Sequence, residues 1–319
     1  MKKAICIAGI LVVVGILVGI VGLAGVGFDL TKLGGEPVVT EEYSFKTGEV
    51  QRIEVDVDTM DVVITESSSP GDDIRVFVKK YESRTSTAAV KDGKLTVEDG
   101  ERPWYRHIGI ISASESIEIV LPYGYSPDSI GIDTDTGDTE VRGVDAQNMK
   151  LTTDTGRISV KDAVIDNLRI EGDTGDVSVL GITAAIIEAE TDTGDIRIEN
   201  VIATDRIKTA CDTGDAKLRK CEAPTVEITT TTGDVDMNEV TASVRMSVKC
   251  TTGDVELVRC DGAAIDVTTS TGDVEMLLLS PKVFDVDSST GKKRVPLSGE
   301  GGICKVRTST GDIEIEIAE

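Results

Sequence analysis

Apolar residues recur along this chain in columns that keep step with a Thr-Gly pair. The glycines are Gly137, Gly156, Gly175, Gly194, Gly214, Gly233, Gly253, Gly272, Gly291 and Gly311, spaced 19 or 20 residues apart. Seven positions before each glycine stand Ile130, Met149, Leu168, Ile187, Ile207, Val226, Met246, Ile265, Phe284 and Cys304. Five before it the column is again mostly Ile, Leu or Val; two and four after it, Ile and Val prevail. Apolar positions two apart are the signature of strands with one buried face. Each repeat therefore predicts two short strands, a bend at Thr-Gly and a second bend in the variable segment that follows.

A unit of this length cannot enclose a core alone. Stacked in parallel and in register, however, like residues meet and bury one continuous column. The expected fold is all-β, a parallel β-solenoid of 19–20-residue coils. At about 4.8 Å per coil, the regular part spans roughly 43 Å. The pattern reaches upstream into RIEVDVDTMDVVI, where Met60 takes the glycine place between Ile53, Val55 and Val62, Ile64. Longer insertions interrupt it there, so residues 41–128 form an irregular N-terminal β portion and residues 129–319 the regular solenoid. The glycine column predicts either positive φ or a corner with no room for a Cβ. The threonine before it predicts stacked hydroxyls, with methyls packed inward.

The first residues follow another pattern. Ala4 to Gly27 is an uncharged run of 24 positions, long enough to cross a bilayer as a helix. Lys2 and Lys3 precede it and Asp29, Lys32 and Glu36 follow, which puts residues 1–3 in the cytoplasm and the body outside. Gly22 and Ala24 would also suit signal cleavage, but the run exceeds the roughly 7–15 residues of a signal h-region. A retained single-pass anchor, residues 4–27, is therefore expected, followed by a linker over 28–40. Gly15 and Gly19 form a small-xxx-small pair within it.

Composition narrows the chemistry. A net charge of −24 leaves no electrostatic footprint for nucleic acid. A single histidine, His107, removes the usual reagent of triads and His-rich metal sites. No cofactor is expected.

Some residues still invite a chemical role. Asp-Thr-Gly at 135–137, 154–156, 173–175, 192–194 and 212–214 matches the short signature around aspartic-protease carboxylates. Those enzymes need two such loops facing each other, whereas five copies here fall along one edge. With the aspartates that follow glycine they make an acidic ladder, Asp173, Asp176, Asp192, Asp195, Asp212 and Asp215, with carboxylates about 5 Å apart. Such a ladder is a candidate for Ca²⁺, set against a solvated turn in which Asp accepts backbone N–H groups. Arg157 and Lys292 interrupt it, and Thr or Ser replaces the earlier acid from Thr231 onward.

Cys211 and Cys250 share one column, Cys221 and Cys260 another, two coils apart and too far for disulfides within a column. They are expected to be inward-facing thiols, with a Cys211–Cys221 bridge as the alternative. Trp104, Tyr105 and His107, with Tyr123 and Tyr125, are expected to cap one open end. The terminal IEIEIAE is expected to mark the other, its glutamates discouraging end-to-end pairing.

The hydrophobic N-terminus, the RIEVDV and DVVI pair, the LPYGYSPDSI lead-in at 121–130 and the repeated TGDV or TGDI units resemble the putative-adhesin family of bacterial envelope proteins. The resemblance spans 41–319. It implies a β-strand-repeat domain at the cell envelope and supplies no catalytic residue to carry over. The expected role is structural or interactive, without catalysis, tethered by residues 4–27. An envelope protein or surface polysaccharide is the implied partner. A regulatory or sensory envelope module, and a carbohydrate-active β-helix enzyme, are the alternatives; the enzyme would need polar groups that converge, and here they repeat.

Overall fold

In a computed structural model, residues 37–71, 73–100, 115–297 and 299–318 are described. They form strands, turns and one short 3-10 turn, Thr47–Glu49. Among them no helix is long and apolar enough to cross a membrane. The expected anchor, 4–27, lies outside the described residues, as do Trp104, Tyr105 and His107. Val38 to Thr40, expected in the linker, already belong to the strand Val38–Lys46.

The regular part is a parallel β-solenoid. The strand Ser129–Thr136 pairs in parallel with Ala146–Thr155, that with Val164–Thr174, and that with Thr183–Thr193. Ile130, Met149, Leu168 and Ile187 stand one above another in this register. Short strands after the glycine stack likewise: Thr139–Arg142, Ile158–Lys161 and Val177–Leu180. The four predicted columns line the interior; Leu168, Ile170, Val177 and Val179 are all buried.

A third wall closes the coil. Seven residues after glycine lie Val144, Ala163, Ile182, Val201, Cys221, Val240 and Cys260, all buried. Two further on, Ala146, Ile165, Ala184, Ala203, Ala223 and Ala242 are buried too. Where the spacing is 20, register shifts at 202–206 and around 225–245 absorb the extra residue, leaving Val244 exposed. That is how a bulge behaves.

Chain order and stacking order part company at both ends. At the N-terminal end, Lys94–Asp99 and Ser116–Leu121 stack outside Arg52–Val57 and Asp61–Glu66, although they come later in the chain. Antiparallel strands then cover this end: Asp73–Tyr81 on Ser116–Leu121, Val38–Lys46 on Asp73–Tyr81, and Ser86–Lys91 on Lys94–Asp99. Ile74, Val76 and Val78 are fully buried beneath that cover.

At the C-terminal end the final coil tucks inward. Ile303–Thr308 lies between Ala264–Thr271 and Val283–Ser288, and Ile313–Ile317 between Val274–Leu278 and Lys293–Arg294. The IEIEIAE segment is therefore not the open edge expected from its glutamates. Its isoleucines Ile313 and Ile315 are buried by neighbours on both sides, and Glu314 pairs with Arg294 at 2.6 Å. The outermost coil is the one before it, residues 283–294.

Candidate functional site

The Thr-Gly corner is the most regular exposed feature, so its geometry decides whether it is a site or a scaffold. At the mid-stack Gly233, φ is +139°, and a Cβ would stand 2.0 Å from the Gly214 carbonyl oxygen of the coil below. Both expected reasons for glycine thus meet at one position. The threonines before the glycines are exposed, Thr136, Thr155 and Thr174 among them, so their methyls do not pack inward as expected.

Successive coils approach so closely here that the ordinary ladder skips two groups per coil. The glycine N–H still donates to the next coil, as Gly175 N does to Thr193 O at 2.8 Å. The N–H after glycine instead finds a side chain. Asp176 Oδ1 accepts the Asp195 N–H at 3.0 Å, Asp195 accepts from Asp215 at 2.9 Å, and Asp215 from Asp234 at 2.9 Å. The chain of bonds continues through Asp234, Asp254 and Asp273 to Asp312, which accepts the Lys292 N–H at 2.7 Å. It follows stacking order, not chain order. Asp138 likewise accepts from the Arg157 N–H at 2.8 Å.

The glycine carbonyl is the second skipped group. In five coils a small polar side chain three residues before glycine takes it: Thr191 on Gly175 O, Cys250 on Gly233 O, Thr269 on Gly253 O, Ser288 on Gly311 O and Thr308 on Gly272 O. At Thr153 and Thr230 the hydroxyl makes no such bond, and Gly172 has none to give. The motif is thus a local solution for backbone groups that the crowded corner would otherwise leave unpaired. Asp215 shows the electrostatic consequence. The Asp234 N–H, and then Lys217 at 2.9 Å, hold its carboxyl below the usual range despite partial burial.

The remaining members of the acidic ladder stand apart from this work. Asp173, Asp192 and Asp212 are exposed and line a shallow depression of about 310 Å³ with Glu171 and Glu190. Asp212 accepts a hydrogen bond from the Thr231 hydroxyl at 3.3 Å. Among the described residues no three His, Cys, Asp or Glu side chains form a group that could hold a metal ion. The Asp-Thr-Gly triplets line one ridge in parallel register, with Thr155, Thr174 and Thr193 in succession, and no two face each other.

Cys211, Cys221, Cys250, Cys260 and Cys304 are free and buried, so the Cys211–Cys221 bridge is not formed. Burial pushes the thiols up, Cys211 and Cys221 to about 11, Cys260 and Cys304 to about 12. A thiol held that high is a packing group, not a nucleophile.

Two ionic features had no sequence signal. Arg84, buried, donates to Glu115 at 2.8 Å and to Thr59 at 2.9 Å and also pairs with Asp99. Burial raises the Asp99 carboxyl, against the pull of Arg84. The arginine thereby ties the end of Lys94–Asp99 to the residue preceding Ser116–Leu121. Lys282, also buried, pairs with Asp261 at 2.5 Å and with the Ser280 hydroxyl at 2.7 Å. Burial works to raise Asp261, and bonds from Lys282, Ser280 and the Gly262 N–H outweigh it, leaving it lowered. This pair borders a groove of about 510 Å³ floored by Ala203, Ala223, Ala242 and Gly262. The isolated charges repeat no pattern that a column could reveal, whereas the small residues of the groove continue the wall nine positions after glycine.

No curated protein matches the chain. Among solved structures it is similar to a putative adhesin from Bacteroides fragilis NCTC 9343, at 15% identity and TM-score 0.37, covering 88% of this chain and 98% of that one. It is also similar to a putative lipid binding protein from Parabacteroides distasonis ATCC 8503, at 12% identity and TM-score 0.41, covering 90% and 98%. A putative adhesin from the same organism and strain matches at 13% identity and TM-score 0.41, covering 88% and 98%. The Toastrack DUF4097 family model matches residues 50–316, nearly the whole solenoid with its leading coils, and the chain belongs to that family.

Proposed function

We propose that this chain is a tethered scaffold of the bacterial cell envelope, held in the membrane by residues 4–27, with its solenoid outside. Its role in this reading is structural or interactive rather than catalytic. One observation carries it. The carboxylates after glycine, the most conspicuous acidic feature, accept backbone N–H groups from coil to coil instead of converging on a common point. Catalytic centres need groups in different roles around one reacting atom. A repeating ridge offers equivalent groups at equal spacing, which suits contact with an extended partner such as an envelope protein or surface polysaccharide.

The test is topological and then biochemical. Protease added to cells stripped of their wall should degrade the body while the membrane stays intact, and envelope material should yield a partner retained by the immobilised chain. Protection of the body until lysis would contradict the orientation. Turnover of a polysaccharide, abolished by a single substitution, would contradict the non-catalytic role.

A further inference from the structure

The two coils at the C-terminal end are stacked against chain order, although their lengths ask for nothing of the kind. Gly272, Gly291 and Gly311 are 19 and 20 residues apart, the spacings of coils that follow one another up the stack. Both coils also carry the full corner: Thr290-Gly291 and Thr310-Gly311, with Ser288 and Thr308 each bonded to a glycine carbonyl of the coil beneath. Yet Ile303–Thr308 sits on Ala264–Thr271, and Val283–Ser288 sits on Ile303–Thr308. Neither length nor corner chemistry decides which coil lies inside.

The column two residues after glycine separates them. Ile196, Ala216, Val235, Val255, Val274 and Ile313 are all buried there, whereas Lys293 is exposed. Val274 pairs in register with Ile313, and Ile313 with Lys293, so the lysine ends the column. Were the coils stacked in chain order, Lys293 would lie between Val274 and Ile313, a charge in an apolar column. Burying a charge without a partner is among the largest penalties a core can carry. Outermost, Lys293 stays in water and pairs with Asp287 at 3.2 Å. Its neighbour Lys292 does not set the order: Arg157 holds the same corner position in mid-stack, with Val177–Leu180 stacked beyond it.

The consequence is a latch. The last coil is held on both sides, with Cys304, Val306, Ile313 and Ile315 buried, and cannot leave before residues 283–294 lift. Arg307 with Asp285 and Arg294 with Glu314, each at 2.6 Å, fasten the outer coil to it. The leading coils show the same inversion, with Arg52–Val57 beneath Lys94–Asp99. We infer that Lys293 assigns residues 283–294 the outermost place and so makes them a latch over the C-terminal coil. This stands independently of the envelope role proposed above.

The experiment exchanges two residues in the full-length chain and reads coil order by cross-linking and amide exchange. Asp266 and Lys305 are register partners, whereas Asp266 and Asp285 are two coils apart, roughly 9.6 Å and beyond disulfide reach. With Lys293 in place, Asp266→Cys with Lys305→Cys should link under mild oxidation, and Asp266→Cys with Asp285→Cys should not. Ile313→Lys alone leaves a lysine in whichever coil lies inside, and should speed amide exchange over 303–317 about tenfold or more. Adding Lys293→Ile should invert the stack: the link moves to positions 266 and 285, and residues 283–295 become the slower-exchanging coil. Lys292→Asp should leave the order as it is. An exchanged chain that keeps the link between 266 and 305 would overturn the inference. So would an exchanged chain that fails to fold or is no better protected than Ile313→Lys alone, since a fixed order leaves that lysine buried whatever stands at 293. A Lys292→Asp chain whose link moves would overturn it as well.

Discussion

Seven successive coils, from Gly137 to Gly253, turn through two corners with positive φ, and the two obey different rules. At the Thr-Gly corner φ lies near +139° to +157°, and the coil below fills the space a Cβ would need. Six residues later a second corner recurs at φ from 52° to 67°, occupied in turn by Gly143, Asp162, Gly181, Asn200, Lys220, Glu239 and Arg259. The left-handed region costs an L-residue about 1–2 kcal/mol but does not forbid one. The first corner is closed to side chains by its neighbour; the second is merely strained. One sequence column is therefore invariant and the other looks random, although both are turns of the same coil.

The largest expected effect follows from the closed corner. Gly233→Ala sets a methyl against the Gly214 carbonyl and should cost about 3–5 kcal/mol by chemical denaturation. A loss no greater than that from Gly181→Ala would erase the distinction between the corners. Gly181 is the softer control: its Cβ would meet the movable Asp162 carboxylate at 2.8 Å, and the expected cost is about 1–2 kcal/mol.

The carboxylates that serve the closed corner come next. Asp234→Ala leaves the Asp254 N–H without its acceptor and should cost about 1–2 kcal/mol, read by the same denaturation. Acid should act in the same direction. A carboxyl held below its unfolded value, as Asp215 is below 3.8, adds stability that is complete above that value and is lost as pH falls through the folded one. Asp215→Asn should lower stability at neutral pH and flatten the fall below about pH 3.8. An unchanged acid profile would mean that Asp215 is not held by the corner.

The strained corner predicts the smallest change, and of opposite sign. Lys220→Gly, Glu239→Gly and Arg259→Gly each relieve a left-handed residue at an exposed site. Each should stabilise the chain by up to about 1 kcal/mol, less what the added freedom of the unfolded chain takes back. A clear loss in all three would mean that the side chains there contribute contacts outweighing the strain.

These contrasts explain what was legible before the structure. Large apolar residues in strict alternation announced the two strands on either side of glycine, and Met60 extended the register to the coil of Arg52–Val57. The third wall was hidden because it is built mostly of Ala, Val and Cys, with only Ile165 and Ile182 larger, too small and mixed to stand out from a turn. The second corner was hidden because strain tolerates Asp, Asn, Lys, Glu and Arg alike. The corner aspartates were legible as N–H acceptors in a turn, but not as acceptors for the neighbouring coil, since that needs the stacking distance. Reversal of coil order at the ends left no distinguishing trace among the corner aspartates: Lys292 interrupts them at the tip, but Arg157 does so in mid-stack. The alternating IEIEI suggested an edge strand and proved to be an inner one. Arg84 with Asp99 and Glu115 left no trace, because residues far apart in sequence meet only once the leading coils have stacked.

The central claim, that the acidic ridge holds the backbone together, has an internal control written into the chain. The N–H groups of Asp195, Asp215, Asp234, Asp254 and Asp273 each meet a carboxylate from the coil below, while the Asp176 N–H meets Arg157 at that place. Residue-resolved amide hydrogen exchange separates them directly. The account predicts slow exchange at the five aspartates and fast exchange at Asp176, with Asp176→Ala releasing the Asp195 amide and leaving Asp254 unchanged. Equally fast exchange at all six, or protection at Asp176 as strong as at Asp195, would contradict it.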